Sequence, residues 1–310
     1  MRRSSWQHFD WILLIVAVTL TAAGVAMIHS ATQGSEELAD AWRRQAIFGV
    51  AGVATLFLTT LINYRLLESL QWPVYFVTLA LLIVTLAIGR SEIGDVRRFI
   101  YIGGTSIQPA FPALILLIIS QASLLARNAP NPPGSQELLT SLALTAVAAF
   151  LVFRQPNLST ATLYVATWAL MVFASGVRLG YVGGMGAVGL IAGPLLWQFM
   201  DDYMRNRIFT FLDPSRDPGA YYNIQQALIS IGSGGLLGKG FGTGTQSQLH
   251  FLRVRHTDFI FSVTAEELGF VGASIMIVLL TTLLLRLVRD AAEAMVDALI
   301  PAAADVATDP

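Results

Sequence analysis

The chain has 310 residues, 55% of them hydrophobic and 13% charged, with a mean hydropathy of +0.63 and a formal net charge of -1. So apolar a composition excludes an ordinary soluble domain and implies a membrane protein, while the near-neutral charge argues against a nucleic-acid binder, which carries a clustered basic excess. Cysteine is absent, which excludes disulfides, thiol catalysis and cysteine metal sites.

Arg2 and Arg3 precede an apolar run from Trp11 to Ile28. The run is longer than the roughly 7–15-residue core of a signal peptide, so a retained first span is expected at about 11–29. Further spans are expected at about 45–62, 74–89, 108–126, 138–154, 159–176, 181–200 and 258–285, making about eight in all. The link 127–137, "RNAPNPPGSQE", reads as a Pro-rich loop, and Gly180 and Gly184 lie one turn apart, where helices can approach closely.

The longest polar stretch, about 201–257, exceeds a simple turn. Within it Ile224, Leu228 and Ile231 recur at helical spacing among Asn223, Gln225 and Gln226, the pattern of a short helix on the membrane interface. A run of glycines follows, Gly232, Gly234, Gly235, Gly238, Gly240, Gly242 and Gly244, which permits close backbone approach. With the N-terminus inside, an even number of spans places 201–257 outside and 286–310 in the cytoplasm. The basic residues this puts outside, among them Arg97, Arg98, Arg154, Lys239, Arg253 and Arg255, suit an anionic ligand at that face.

"GSGGLLGKG" around Lys239 departs from the phosphate loop of nucleotide hydrolases, because Ser233 stands at its first glycine and Gly240 at its magnesium-binding hydroxyl. Two readings stay open: a cradle of backbone amides for a phosphate or pyrophosphate, or a flexible loop with a solvated lysine. Asp258 follows Arg253, Arg255 and His256 and precedes the last apolar run. It is either a general base kept ionised by its cations or a salt-bridged helix cap. Glu266 and Glu267 lie about 12 Å further along the same helix, with Ser262 and Glu266 on the face of Asp258 and Glu267 turned away. Carboxylates at such depth are expected to face the bundle interior and pair with arginines or line a wet cavity.

The order "IGSGGLLGKGFGTGTQSQLHFLRVRHTDFIFSVTAEELGFVG" resembles the long extracellular loop and following helix of the SEDS family, the RodA, FtsW and SpoVE proteins. Weaker echoes are "HSAT", "RRFIYIGGTSIQPA", "RQPNLSTA" and "FLDPSRDPGAYYNIQQALISIGSGG", so that the resemblance spans most of residues 10–285. It implies an all-α polytopic membrane protein, one domain over 1–310, in the bacterial cytoplasmic membrane with its active face outside. The implied activity is peptidoglycan glycosyl transfer: polymerisation of lipid II into glycan strands, beside a class B penicillin-binding protein.

By the same resemblance Asp258 is the catalytic aspartate that activates the attacking sugar hydroxyl. Lys239, Arg255, His256, Gln246, Ser247, Gln248, Arg98 and Gln155 would bind substrate, that is, lipid II and the undecaprenyl-pyrophosphate-linked glycan, while Glu266 and Glu267 would be structural. A divalent cation, Mg or Mn, is the cofactor the family admits, and no nucleotide is needed because the leaving group is already a lipid pyrophosphate.

The chain departs from the family pattern where "QPAFPAL" puts Phe111 and Leu114 in place of a Glu and a Lys, at Asn157 in place of an Asp, and at Phe99 in place of a Trp. About eight spans are expected here against about ten in the family. Three readings compete: an active polymerase, completed by another chain if needed; an inactive relative that binds lipid II or a penicillin-binding protein; and a flippase of lipid-linked precursors.

Overall fold

The structure is a computed structural model that describes residues 9–61, 69–90, 98–102, 105–127, 131–249, 251–252 and 254–306. Its helices are α1 (Trp11–Thr32), α2 (Ala41–Thr60), α3 (Gln71–Ile88), α4 (Ala110–Leu125), α5 (Ser135–Phe153), α6 (Leu158–Ala174), α7 (Leu179–Gln198), α8 (Asp202–Leu212), α9 (Pro218–Ser233), α10 (Thr245–Gln248) and α11 (Ile260–Val306). Among the described residues four segments are long and apolar enough to cross a bilayer: Trp11–Thr32, Gln71–Ile88, Ser135–Phe153 and Ile260–Ala291. Ala110–Leu125 and Leu158–Ala174 are apolar but shorter. The last helix was expected to end near 285 and instead continues to Val306.

A small antiparallel hairpin, β1 (Ile100–Ile102) paired with β2 (Thr105–Ile107), modifies the all-helical expectation. Ile and Tyr suit a pleated pair, but three residues are too few to show a strand period.

The chain divides into two compact units, one formed by 1–61 with 213–310 and the other by 62–212. In the first, α1 packs on α2 and α11, and α9 packs on α11. Asp10 caps α1, its Oδ1 accepting the Ile12 and Leu13 amides at 2.8 and 3.0 Å, and its Oδ2 meets Arg286 of α11 at 3.3 Å. The Leu13 amide, more than the Arg286 charge, holds the Asp10 carboxyl below its ordinary pKa. A small core joins Met27 and Ala31 of α1, Ala227 of α9, and Leu252 and Val263.

The packing face of α9 is not its apolar one. Ala227 and Ser230 are buried, whereas Ile224, Leu228 and Ile231 remain 40%, 64% and 39% exposed. Small side chains let α9 lie close to α11, leaving the larger apolar ones outward.

In the second unit α3, α4, α5 and α6 pack around Tyr75, Leu82, Leu117, Val152 and Tyr164, joined by Met204 of α8. Leu114 belongs to this core, whereas Phe111 is exposed. Polar cross-links run between the helices: Tyr164 donates to the Ala110 carbonyl at 2.6 Å, Trp168 Nε1 to Ser141 Oγ at 3.0 Å, and Gln121 Nε2 to Thr145 Oγ1 at 2.9 Å. Such bonds add about 1 kcal/mol each to helix association in an apolar medium. Among the described residues nothing approaches Gly180 or Gly184 closely, since a Cβ on either meets no described atom within 4 Å.

Candidate functional site

The first unit's site is built around a break in α11. Gly269 adopts φ 67° and ψ -166°, so the ladder is interrupted there. The carbonyls of Glu266 and Glu267 and the amides of Phe270 and Val271 would be partners in an unbroken helix. Each needs another partner, because unsatisfied backbone groups are costly away from water. The glycine loop supplies all four. Lys239 N donates to Glu266 O at 3.0 Å and Gly240 N to Glu267 O at 2.9 Å, while Phe270 N donates to Gly235 O at 2.9 Å and Val271 N to Leu236 O at 3.2 Å.

This seam explains the glycines. A Cβ on Gly234 would collide with the Ala265 carbonyl, one on Gly238 with the Glu267 carbonyl, and one on Gly269 with the Gly238 nitrogen. Gly235, Gly238 and Gly269 also have positive φ. The loop is therefore neither a solvated flexible segment nor, at Lys239 and Gly240, a set of amides free for a phosphate.

Both glutamates are fully buried. Glu266 Oε1 accepts Lys239 Nζ at 2.7 Å, Thr245 Oγ1 at 3.0 Å and the Gln246 amide at 3.1 Å, and its Oε2 accepts Ser230 Oγ at 3.0 Å. Glu267 turns to α1, where Ser30 Oγ approaches its two oxygens at 2.7 and 2.6 Å, and it also accepts the Gly242 amide at 3.1 Å. The described partners of these two carboxylates are a lysine, hydroxyls and amides.

The turn 254–259 carries the remaining groups. Arg255 is buried and its Nε donates to the Ala31 carbonyl at 2.6 Å, while Gln248 Nε2 donates to Ser30 O at 3.1 Å. Burial lowers the pKa of Arg255. It also lowers that of His256, helped by the Arg255 charge and opposed by Asp258. Arg255 Nη2 and His256 Nδ1 are buried without a described partner.

Asp258 stands exposed on this turn, its carboxylate making no hydrogen bond or ion pair to any described residue. Because α11 begins only at Ile260, Asp258 is not on the helix, and the shared face expected with Ser262 and Glu266 does not exist. The turn is anchored from below by buried Leu252 and by Phe259 and Ile260 in the small core. An exposed carboxylate is thus presented on a fixed turn beside the buried Arg255 and the half-buried His256 imidazole.

The residues expected to bind substrate are distributed unequally. Lys239, Gln246, Gln248, Arg255 and His256 join Asp258 in the first unit, with Lys239 already paired to Glu266. Arg98 and Gln155 belong to the second, where Arg98 Nη2 donates to the Pro156 carbonyl at 2.7 Å and Gln155 Nε2 to the Leu82 carbonyl at 3.1 Å. The Ser247 side chain and the whole of Arg253 lie outside the described residues. Asn157 caps α6, its Oδ1 accepting the Thr160 amide at 3.4 Å. Sequence reasoning missed Ser30, Ser230 and Thr245 as carboxylate partners and Gly269 as the break. Only the last had a local signal, a glycine inside an otherwise helical run. Among the described residues no group of three or more His, Asp or Glu side chains converges to hold a metal ion.

The family model FtsW/RodA/SpoVE, described as cell cycle protein, matches residues 10–300. The peptidoglycan glycosyltransferase MrdB of Escherichia coli K12 is 35% identical, with 92% of this chain and 77% of that protein covered. The probable peptidoglycan glycosyltransferase FtsW of Trichlorobacter lovleyi is 31% identical, with 91% and 76% covered. Among solved structures, a chain of a peptidoglycan synthase complex that coordinates polymerization and crosslinking superposes with a TM-score of 0.69 at 28% identity, covering 91% of this chain and 78% of that one. The rod shape determining protein RodA of Thermus thermophilus superposes with a TM-score of 0.59 at 27% identity, covering 91% and 75%. The match over nearly the whole length places the chain in the FtsW/RodA/SpoVE family.

Proposed function

We propose that the chain is a peptidoglycan glycosyltransferase that polymerises lipid II at the outer face of the cytoplasmic membrane. The observation that carries the reading is the exposed Asp258 carboxylate, held on an anchored turn beside Arg255 and His256, in a chain 35% identical to a named glycosyltransferase. Asp258 takes the proton of the acceptor sugar hydroxyl. The hydroxyl oxygen then bonds to the anomeric carbon of the donor, and the bond from that carbon to the pyrophosphate breaks. The leaving undecaprenyl pyrophosphate carries away the electron pair.

Arg255 and His256, with Gln246, Ser247, Gln248 and Lys239 in the loop and Arg98 and Gln155 in the second unit, are assigned to substrate. Arg255 Nη2 and His256 Nδ1 retain unused polar capacity beside the base, which supports their part. Glu266 and Glu267 are structural. Any Mg or Mn ion would draw its ligands chiefly from the substrate, Asp258 being kept as the base, and would neutralise charge on the leaving group.

The membrane arrangement that goes with this reading has about eight spans, 201–257 outside and α9 on the interface with Ile224, Leu228 and Ile231 towards lipid. The partner is a class B penicillin-binding protein, in keeping with the synthase complex to which the chain is similar.

Asn157, Phe111 and Leu114 favour a second reading, an inactive relative that binds lipid II. Purified chain, alone and with its penicillin-binding partner, is given lipid II and the glycan products are separated on a gel. Asp258→Asn is expected to lose about 10²- to 10⁴-fold in rate while remaining folded. Polymerisation by Asp258→Asn at the wild-type rate would refute the base assignment. A wild type that binds lipid II but never polymerises it would leave the second reading standing.

A further inference from the structure

Within the first unit, the C-terminal end of α1 meets the segment that carries Asp258 at three points far apart in the chain. Ser30 Oγ lies 2.7 and 2.6 Å from the two carboxylate oxygens of Glu267, just before the break at Gly269. The Ser30 carbonyl accepts Gln248 Nε2 at 3.1 Å, and the Ala31 carbonyl accepts Arg255 Nε at 2.6 Å. Ser30 and Ala31 are both buried. Gln33 closes the junction from the side, since a Cβ on Gly242 would meet its Oε1 at 3.1 Å, and the Gly242 amide itself donates to Glu267.

These acceptors exist because α1 stops at Thr32. The last carbonyls of a helix have no amides of the next turn to meet, and they carry the negative end of its dipole. Among the described residues no carboxylate lies within ion-pair distance of Arg255, so the buried guanidinium is compensated by the end of α1. The Asp258 carboxylate makes no bond to a described residue, and its place is therefore set by its turn. That turn is fixed by Arg255 on one side and by Leu252, Phe259 and Ile260 on the other.

We propose that Ser30 is a positioning residue for the transfer reaction: its hydroxyl pins α1 to Glu267 and so makes the end of α1 a splint that holds the Asp258 turn against the glycine loop. The proposal rests on the reading of Asp258 as the base. Without the hydroxyl, α1 is free to shift against α11, and the Ser30 and Ala31 carbonyls shift with it, carrying Gln248 and Arg255. No group that touches substrate is removed. A misplacement of about 1 Å in a reacting group lowers the rate by up to about 10²-fold, so the loss falls on kcat and not on KM.

Two readouts on the full chain in nanodiscs test this. Steady-state polymerisation of lipid II is expected to show kcat at least about tenfold lower in Ser30→Ala with KM within about twofold of wild type, and partial recovery in Ser30→Thr, which keeps the hydroxyl. Trp168→Phe removes a buried bond to Ser141 in the second unit and serves as the control, with a lowered thermal midpoint but unchanged kcat. Because the chain has no cysteine, Thr257→Cys gives a single nitroxide site beside Asp258, and without lipid II the label is expected to move faster in Ser30→Ala. An unchanged kcat, a rise confined to KM, an equal fall of kcat in Trp168→Phe, or unchanged label motion each refutes the proposal. If Ser30→Ala does not fold, Gln248→Leu read by the label alone decides, faster motion supporting the splint and unchanged motion refuting it. The label also reports in a chain that polymerises nothing, so failure of the polymerase reading and failure of the splint are separate results.

Discussion

Lys239 Nζ lies 2.7 Å from Glu266 Oε1, a fully buried carboxylate on α11 held by a lysine in the glycine loop. The pair welds the loop to the helix just before its break. Removing one partner strands a charge, whereas removing both leaves neutral groups that the Ser230, Thr245 and Gln246 donors tolerate. Lys239→Met is expected to destabilise the chain by about 2–3 kcal/mol, below the usual cost for a fully buried pair because the lysine is partly exposed. The double variant Lys239→Met/Glu266→Gln should be more stable than Lys239→Met. Thermal unfolding in detergent reads both; a double variant less stable than the single one would contradict the pairing.

Gly238 and Gly232 make opposite predictions from one loop and its preceding helix. Gly238 has φ +80° and its missing Cβ would meet the Glu267 carbonyl. Gly238→Ala is expected to cost about 3 kcal/mol or more through backbone strain and loss of the seam. Gly232 lies inside α9 and a Cβ there meets nothing within 4 Å. Gly232→Ala should be neutral or stabilise by up to about 1 kcal/mol. Equal thermal midpoints for the two variants would contradict the seam.

Ser30 supplies the hydroxyl that reaches both oxygens of Glu267. Ser30→Ala leaves that buried carboxylate with one fewer donor, an expected cost of about 1–3 kcal/mol. Ser30→Thr keeps the hydroxyl and is expected to recover much of the loss, which denaturant titration of the two variants would measure. Equal stability of Ser30→Ala and wild type would remove Ser30 from the support of α11.

His256 sets a pH dependence. Burial, with the Arg255 charge, holds its folded pKa below the ordinary imidazole value of about 6.5. The unfolded chain therefore binds the proton first as pH falls, so this contribution is complete above about pH 6.5 and is lost as pH drops towards the folded pKa. Thermal midpoints measured from pH 7.5 to 5.5 should fall, and fall less in His256→Asn. An identical slope in the variant would show that His256 does not carry the effect.

The grouping of Asp258 with Arg255 and His256 was legible because the turn 254–259 is local and the two residues precede it directly. The helices were legible for a similar reason. Apolar runs between polar links record burial or lipid contact residue by residue, and most observed helix ends fall within a few residues of those expected from composition. A helix around Ile224, Leu228 and Ile231 was legible, but its packing face was not, since periodicity locates apolar residues without saying whether they meet protein or lipid.

By itself the sequence determined that this is a helical membrane protein with a chemically equipped loop ahead of its last apolar run, because composition and spacing are local properties. Tertiary structure alone decided how that loop is held. Ser30 and Glu267 are 237 residues apart, and the bond between them depends on α1 meeting α11 at one height. The seam across Gly269 likewise exists only once a second segment offers backbone partners to the broken helix. Buried carboxylates and interrupted ladders must be satisfied by whatever folding brings near, so the partners are a property of the packed chain.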